Sequence, residues 1–180
     1  MKNLKIMSIV ILATTQQFHA QKADDKREIM QIIDKYSESV IKRDSISFYE
    51  LFNEGIVTWC AGVKDNSHAR EIKEKGSKDA RSSYFSSSHK EFLRGLSRYK
   101  STEDTFDNID IIQDGTVASV TMDYSFWANT KMTNWGEKYL GLIKRDGKWK
   151  ITSVIYSLEL TTYFEQPSLK QRIAQKRNRK

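Results

Sequence analysis

The chain has 180 residues, with 30 Lys and Arg against 23 Asp and Glu, a formal net charge of +7 and one cysteine. That length suits a single domain, and 38% hydrophobic residues supply a core, which excludes wholesale disorder. Collagen-like, low-complexity and disulfide-scaffold classes are excluded too, by 8 Gly, 1 Pro and 1 Cys.

In chain order, residues 1–20 read as a secretory leader. Lys2 and Lys5 come first, an apolar run covers 6–13, and a polar stretch ends at Ala20, after which cleavage is expected. The apolar run is about half of the roughly 20 residues a spanning helix needs, which argues against a membrane anchor. The other reading of this segment is a buried N-terminal strand. A leader places the mature chain in the periplasm or outside the cell, where Cys60 alone makes no internal disulfide.

Helix one follows, with Asp25 and Glu28 in a capping-box pattern and Ile29, Ile32, Ile33, Tyr36 and Val40 at 3–4 residue spacing. A short second helix opens at Asp44 or Ser45, carries Phe48, Leu51 and Phe52, and stops at Gly55. A strand is expected over 56–61, then a long polar excursion over 64–90 with a weak helix near 69–75. Phe92, Leu93, Leu96 and Tyr99 mark a third helix.

After Lys100 the texture is that of strands, over 106–112, 116–128, 135–144 and 149–160. Asp114-Gly115 and Asp146-Gly147 are hairpin signals, because the tight turn takes positive φ at both positions. In 116–128, Ala118, Val120, Met122, Tyr124 and Phe126 face one way, and Ser119, Thr121, Asp123 and Ser125 the other. Helices first and an antiparallel meander last predict an α+β two-layer domain over 21–165. Residues 166–180 form a basic tail, read as solvated with helical character through Leu169 and Ile173. Contact with anionic lipid is its other reading.

The charge belongs to those ends. Lys2 and Lys5 lie in the leader and six cations without an acid lie in 166–180, so 21–165 holds 22 basic against 23 acidic residues, a net of −1. A groove that tracks phosphates carries its charge on the fold, so no nucleic-acid partner is expected.

The stretches IIDKYSESVIKRDSISFYELF at 32–52, VASVTMDYSFW at 117–127 and NWGEKYLGLIKRDGKWKITSVIYS at 134–157 resemble the nuclear transport factor 2-like superfamily. This is the cone fold of ketosteroid isomerase, scytalone dehydratase and the SnoaL-like cyclases, in which three N-terminal helices pack on a curved antiparallel sheet. Within it the chain is similar to small exported bacterial proteins called SnoaL-like or lumazine-binding. The resemblance covers about 25–160 and implies a pocket between the sheet and helix one. Such folds host unrelated functions, so activity is argued from the site.

Comparison with ketosteroid isomerase puts Tyr36 at that family's oxyanion-hole tyrosine, and Cys60 at its general-base aspartate. The second oxyanion donor falls near Tyr139 or Leu140. An unperturbed thiol has a pKa of about 8.5 and makes a poor base at neutral pH, so that isomerase chemistry is not expected. Similar exported proteins carry His at Asn134, in a His-Cys-Gly version of Asn134-Trp135-Gly136. His68 and His89 both lie in the polar excursion, far from an acidic pair at ligand spacing, so no metal and no cofactor is expected.

Tyr36 and Asp123 remain as catalytic candidates, Asp123 on the polar face of its strand unless a β-bulge reverses it. The expected ligand-binding lining is Tyr36, Trp59, Cys60, Tyr124, Tyr139 and Ser153. The leading expectation is an exported homodimer, paired through the outer sheet face, that holds a small, partly apolar ligand. An isomerase, cyclase or dehydratase acting on a small carbonyl compound, and a protein-interaction module, are the alternatives.

Overall fold

Ile29, Ile33, Tyr36 and Val40 fall on one face of a long helix, α1 (23–42), and all four are buried. The structure, a computed structural model, describes residues 23–178; the leader expected over 1–20 lies outside the described residues. Asp25 does not act as the expected cap. It is buried within α1, where Oδ1 accepts hydrogen bonds from Lys144 Nζ at 2.5 Å and Trp149 Nε1 at 3.1 Å. The helix is thereby tied to the last hairpin.

Asp44 does cap the next helix, α2 (Ser45–Tyr49), accepting from Ser47 N at 3.1 Å. This helix ends well before Gly55. Phe52 already bridges to Ile151, and Asn53 N–H donates to Ile151 O at 2.9 Å, so the sheet claims the chain.

Next come β1 (Thr58–Val63), α3 (Asp65–Lys75), β2 (Tyr84–Ser86) and α4 (His89–Gly95), which runs into a 3-10 turn over Leu96–Arg98. Four long strands follow: β3 (Thr102–Gln113), β4 (Val117–Ala128), β5 (Lys131–Arg145) and β6 (Lys148–Leu160), then α5 (Leu169–Arg177). Among the described residues these strands make one curved sheet in the order β2-β1-β6-β5-β4-β3. It is antiparallel except where β1 lies parallel to β6, with Trp59 opposite Val154. Irregularities at Asp107/Asp110, Phe126/Trp127 and Gly141/Leu142 interrupt the ladders, and each extra residue bends the sheet. The concave face receives α1, α2 and α4 around one core that includes Tyr36, Phe48, Trp59, Met122 and Val154.

The two Asp-Gly pairs make different turns. Asp146 (φ 51°) and Gly147 (φ 75°) are both left-handed. At the other pair Gly115 is left-handed at 94°, while the Asp114 carboxylate accepts from Thr116 N and Val117 N, both at 2.9 Å. A further hairpin, between β4 and β5, turns on Asn129 (φ 52°) and Thr130 (φ 67°), so β5 begins at Lys131 and not at 135. A β-branched residue in that region is strained.

The 64–90 excursion is folded. β2 pairs with β1, and Ser67 Oγ both donates to Glu159 and accepts from Leu160 N at 2.9 Å, seating α3 on β6. Glu71 is buried between Arg81 (2.6 Å) and Lys75 (2.8 Å), and the Arg81 hydrogen bond, against the opposing effect of burial, holds its carboxyl at about 2.

The tail is also more than solvated chain. Ser168 and Gln171 form a capping box for α5, whose Arg172 reaches Asp123 at 2.9 Å and Asp107 at 3.0 Å, while Lys176 reaches Asp123 at 3.1 Å. The outer face of β3 and β4 is acidic at this place, which gives the tail's cations a docking ground.

Glu71 has a folded-state pKa far below the ordinary 4.5, so its stabilisation is complete above that value and fades as pH falls toward about 2. Urea midpoints measured from pH 7 to 2 should therefore show Glu71→Gln weaker than the parent at neutral pH and equal to it near the acid limit. Thr130→Gly relieves the left-handed β-branched residue, and calorimetry should register a gain of about 1 kcal/mol.

Candidate functional site

Strand alternation turns a lysine into the core. Lys138 on β5 shares its face with Leu140 and Leu142, both buried, and its neighbours across the sheet are Met122 on β4 and Tyr156 on β6. Only 3% of its side chain is exposed. An isolated buried ammonium is strongly unfavourable, and the partner comes from β3, where Asp104 stands two residues before Phe106 on the same face. Lys138 Nζ donates to Asp104 Oδ2, and Asp104 is itself 1% exposed.

Aromatic rings surround the remaining directions. Lys138 Nζ lies 4.6 Å from the ring centre of Tyr124, 5.0 Å from Phe106, 5.1 Å from Tyr36 and 5.6 Å from Tyr156. These rings come from four elements, α1, β3, β4 and β6, so closure of the whole cone is needed to assemble the cage.

Beside the pair an interior cavity of about 410 Å³ opens. Asp104, Lys138, Tyr124, Tyr156 and Asn134 give it polar groups, while Trp59, Phe92 and Phe126 give apolar walls. Arg81, Glu91 and Arg98, all exposed, stand on the same lining toward solvent. Three other hollows are larger: clefts of about 680 and 590 Å³ beside the β5–β6 turn, lined by exposed groups such as Lys148 and Glu50, and one of about 450 Å³ beside Glu103 and Trp127. They lack a buried charge. The smaller, interior space is the site.

The hydrogen-bond inventory is incomplete on that side. Among the described residues, Asp104 Oδ1 and Tyr36 Oη are buried and have no hydrogen-bond partner. Tyr124 Oη is engaged, 3.0 Å from both Asn134 Oδ1 and Ser157 O. The Ser157 carbonyl can turn this way because the strands pinch together. Glu137 N–H is taken by Ser157 Oγ at 3.1 Å, and a Cβ on Gly136 would sit 2.1 Å from Ser157 O. Glycine is required there by contact.

Burial raises the Asp104 carboxyl, an effect that Lys138 only partly offsets, and lowers the Lys138 amine against the opposing pull of Asp104. Both displacements favour the neutral forms. Burial likewise pushes Tyr36 and Tyr124 well above the ordinary phenol value and Tyr156 up to about 12, so all three hydroxyls remain protonated donors.

Of the expected lining, the cavity brings together Trp59 and Tyr124. Tyr36 is buried behind Lys138, its ring against Phe48 at 5.0 Å and Phe106 at 5.6 Å. Cys60, Tyr139 and Ser153 do not join them. Trp59, Leu140 and Val154 point inward, so each next residue along the strand points to the outer face. There Cys60 and Tyr139 both stand opposite Ile155, Ser153 stands opposite Gly141, and the Tyr139 hydroxyl donates to Glu137 at 2.6 Å.

Asp123 keeps the outward direction that alternation gives it, since the nearest bulge belongs to β3 at Asn108; α5 covers it. His68 lies on α3, and His89 opens α4 with its ring stacked 4.4 Å from Phe52. Neither lines the cavity. Neither Asp104 nor Lys138 belongs to the expected lining, although a lysine in register with two strand leucines is a rare arrangement and a usable signal.

No protein-family model and no curated protein matches the chain. Solved structures do. A provisionally named scytalone dehydratase from Novosphingobium aromaticivorans matches at 17% identity and TM-score 0.61, over 83% of this chain and 94% of that one. A Mycobacterium tuberculosis protein of unknown function matches at 16% and 0.58, over 79% and 77%. A nuclear transport factor 2-like protein of unknown function from Shewanella baltica matches at 19% and 0.51, over 81% and 97%. At such identities the likeness concerns architecture alone. The chain folds as a nuclear transport factor 2-like cone.

Proposed function

We propose that the chain binds a small, partly apolar molecule in the inner-face cavity, with an oxygen-bearing polar end seated at Asp104 and Lys138. The observation that carries this reading is the buried Asp104 on the lining of an aromatic cavity, its Oδ1 unpartnered among the described residues. Its volume of about 410 Å³ lies within the ordinary range for small-molecule sites, about 300–1,000 Å³. We place the mature protein in the periplasm or outside the cell, on the leader pattern of 1–20. A homodimer through the outer sheet face fits the exposed Ile112, Val117, Ile143 and Ile155, on the part of that face away from Asp123. Equilibrium sedimentation tests that assembly.

A second reading, acid–base turnover of a carbonyl or hydroxyl compound, is favoured by the same carboxyl, because burial raises it above the ordinary carboxylate value. It replaces the Asp123 candidate, which α5 seals on the far side of the sheet.

Thermal unfolding with a panel of flavins, pterins, steroids and aromatic polyketide fragments tests the binding reading. At saturation of about a hundred times Kd, a ligand stabilises by about 2.7 kcal/mol, an easily read rise in Tm. No rise with any member of the panel overturns it. The paired substitution Asp104→Leu with Lys138→Met separates binding from folding. Replacing a buried ion pair by apolar residues is commonly neutral or stabilising, whereas removing one partner costs about 3–5 kcal/mol. The double variant should therefore fold and lose the ligand-induced rise, while Lys138→Met alone should be the least stable of the set.

A further inference from the structure

We propose that Lys138 captures a small aldehyde or ketone covalently, as an imine formed inside the cavity, with Asp104 moving the proton. The proposal rests on the cavity being a ligand site, and adds a chemical class to it. Three features of the geometry carry it.

Lys138 and Asp104 both line the cavity, and among the described residues Asp104 is the ion-pair partner of Lys138. The groups that face it from every packed element are Asp104 on β3, Tyr36 on α1, Tyr124 on β4 and Tyr156 on β6; Asp104 is the one carboxyl among them. The second carboxyl oxygen, Oδ1, is buried and has no hydrogen-bond partner among the described residues, so unlike Oδ2 it is not engaged in holding the lysine. Burial raises the Asp104 carboxyl and lowers the Lys138 amine, so both shifts run toward the neutral forms that the reaction uses. Desolvation in an apolar pocket is one of the recognised ways a lysine becomes a nucleophile.

The step balances within the site. The Nζ lone pair adds to the carbonyl carbon, the π pair moves onto the carbonyl oxygen, and that oxygen takes the Asp104 proton. The nitrogen then returns a proton to the Asp104 carboxylate, giving a neutral carbinolamine and a reset acid. The same acid protonates the hydroxyl, water leaves as the nitrogen lone pair forms the C=N bond, and the resulting iminium proton goes back to Asp104. Overall one amine and one carbonyl give one imine and one water, with no oxidant or reductant consumed. Trp59, Phe92 and Phe126 offer an aromatic carbonyl compound its wall contacts.

The full chain, incubated with 2-naphthaldehyde and sodium cyanoborohydride at neutral pH, tests this by peptide mass mapping. The expected result is one label per chain, on Lys138, formed at least roughly a hundredfold faster than on exposed lysines such as Lys148 or Lys78, in line with the usual worth of a positioned general acid. Asp104→Asn should slow the labelling of Lys138 by a similar factor. Label spread over the exposed lysines with Lys138 unmodified overturns the proposal, and this outcome is read on the parent protein, without need of a variant. Thermal unfolding with 2-naphthol, which lacks a carbonyl, separates the two readings. A rise in Tm with 2-naphthol and no label on Lys138 removes the imine and leaves the binding site; neither signal removes both.

Discussion

The buried pair of Asp104 and Lys138 is the constraint around which the cone is organised. Two charges taken out of water each cost several kcal/mol, and their attraction repays this only when geometry and further contacts are good. The chain supplies those contacts from every layer: rings from α1, β3, β4 and β6 close on the ammonium, and their quadrupoles add to the attraction. Apolar residues of the same volume would hold the layers together at least as well. The pair nevertheless stands at the edge of an aromatic cavity, with Asp104 Oδ1 unpartnered among the described residues.

The opposite face of the same strands handles its acid differently. Asp123 sits on β4 next to inward-facing Met122 and Tyr124, but its carboxylate is met by Arg172, Lys176 and Asn108. One acid is neutralised by an added helix, the other by a lysine beside open space. Of the net charge of +7, two of the six tail cations serve as counter-ions for the domain. The near-neutral balance of 21–165 and the basic tail are thus two halves of one electrostatic arrangement.

The helix stripe, the four long strands and the Asp146-Gly147 turn were legible, because periodicity and turn chemistry act locally. The cone fold was legible from stretches in which those local signals occur in a distinctive order. The cavity was half legible. Trp59 and Tyr124 were recognised as aromatics on strands, but Cys60, Tyr139 and Ser153 were grouped with them without respect for parity, and one residue of offset reverses a side chain. Lys138 and Asp104 lie 34 residues apart on strands that are not adjacent in the sheet, so no local pattern joins them. Asn129 and Thr130 hid a hairpin because neither is glycine. The tail looked solvated because its partners, Asp107 and Asp123, become neighbours only after β3 and β4 pair.

The parallel seam between β1 and β6 bears on how the molecule comes into being. Residues 58–63 find their ladder partners at 153–158, almost at the end of the chain, and β2 in turn leans on β1. Closing so wide a loop precedes any reward from the contacts it brings, and topologies of this kind form slowly. A polypeptide that emerges from the ribosome amino end first has no ladder partner for β1 until β6 has followed it, so β1 and the β2 that leans on it are among the last parts of the sheet to settle.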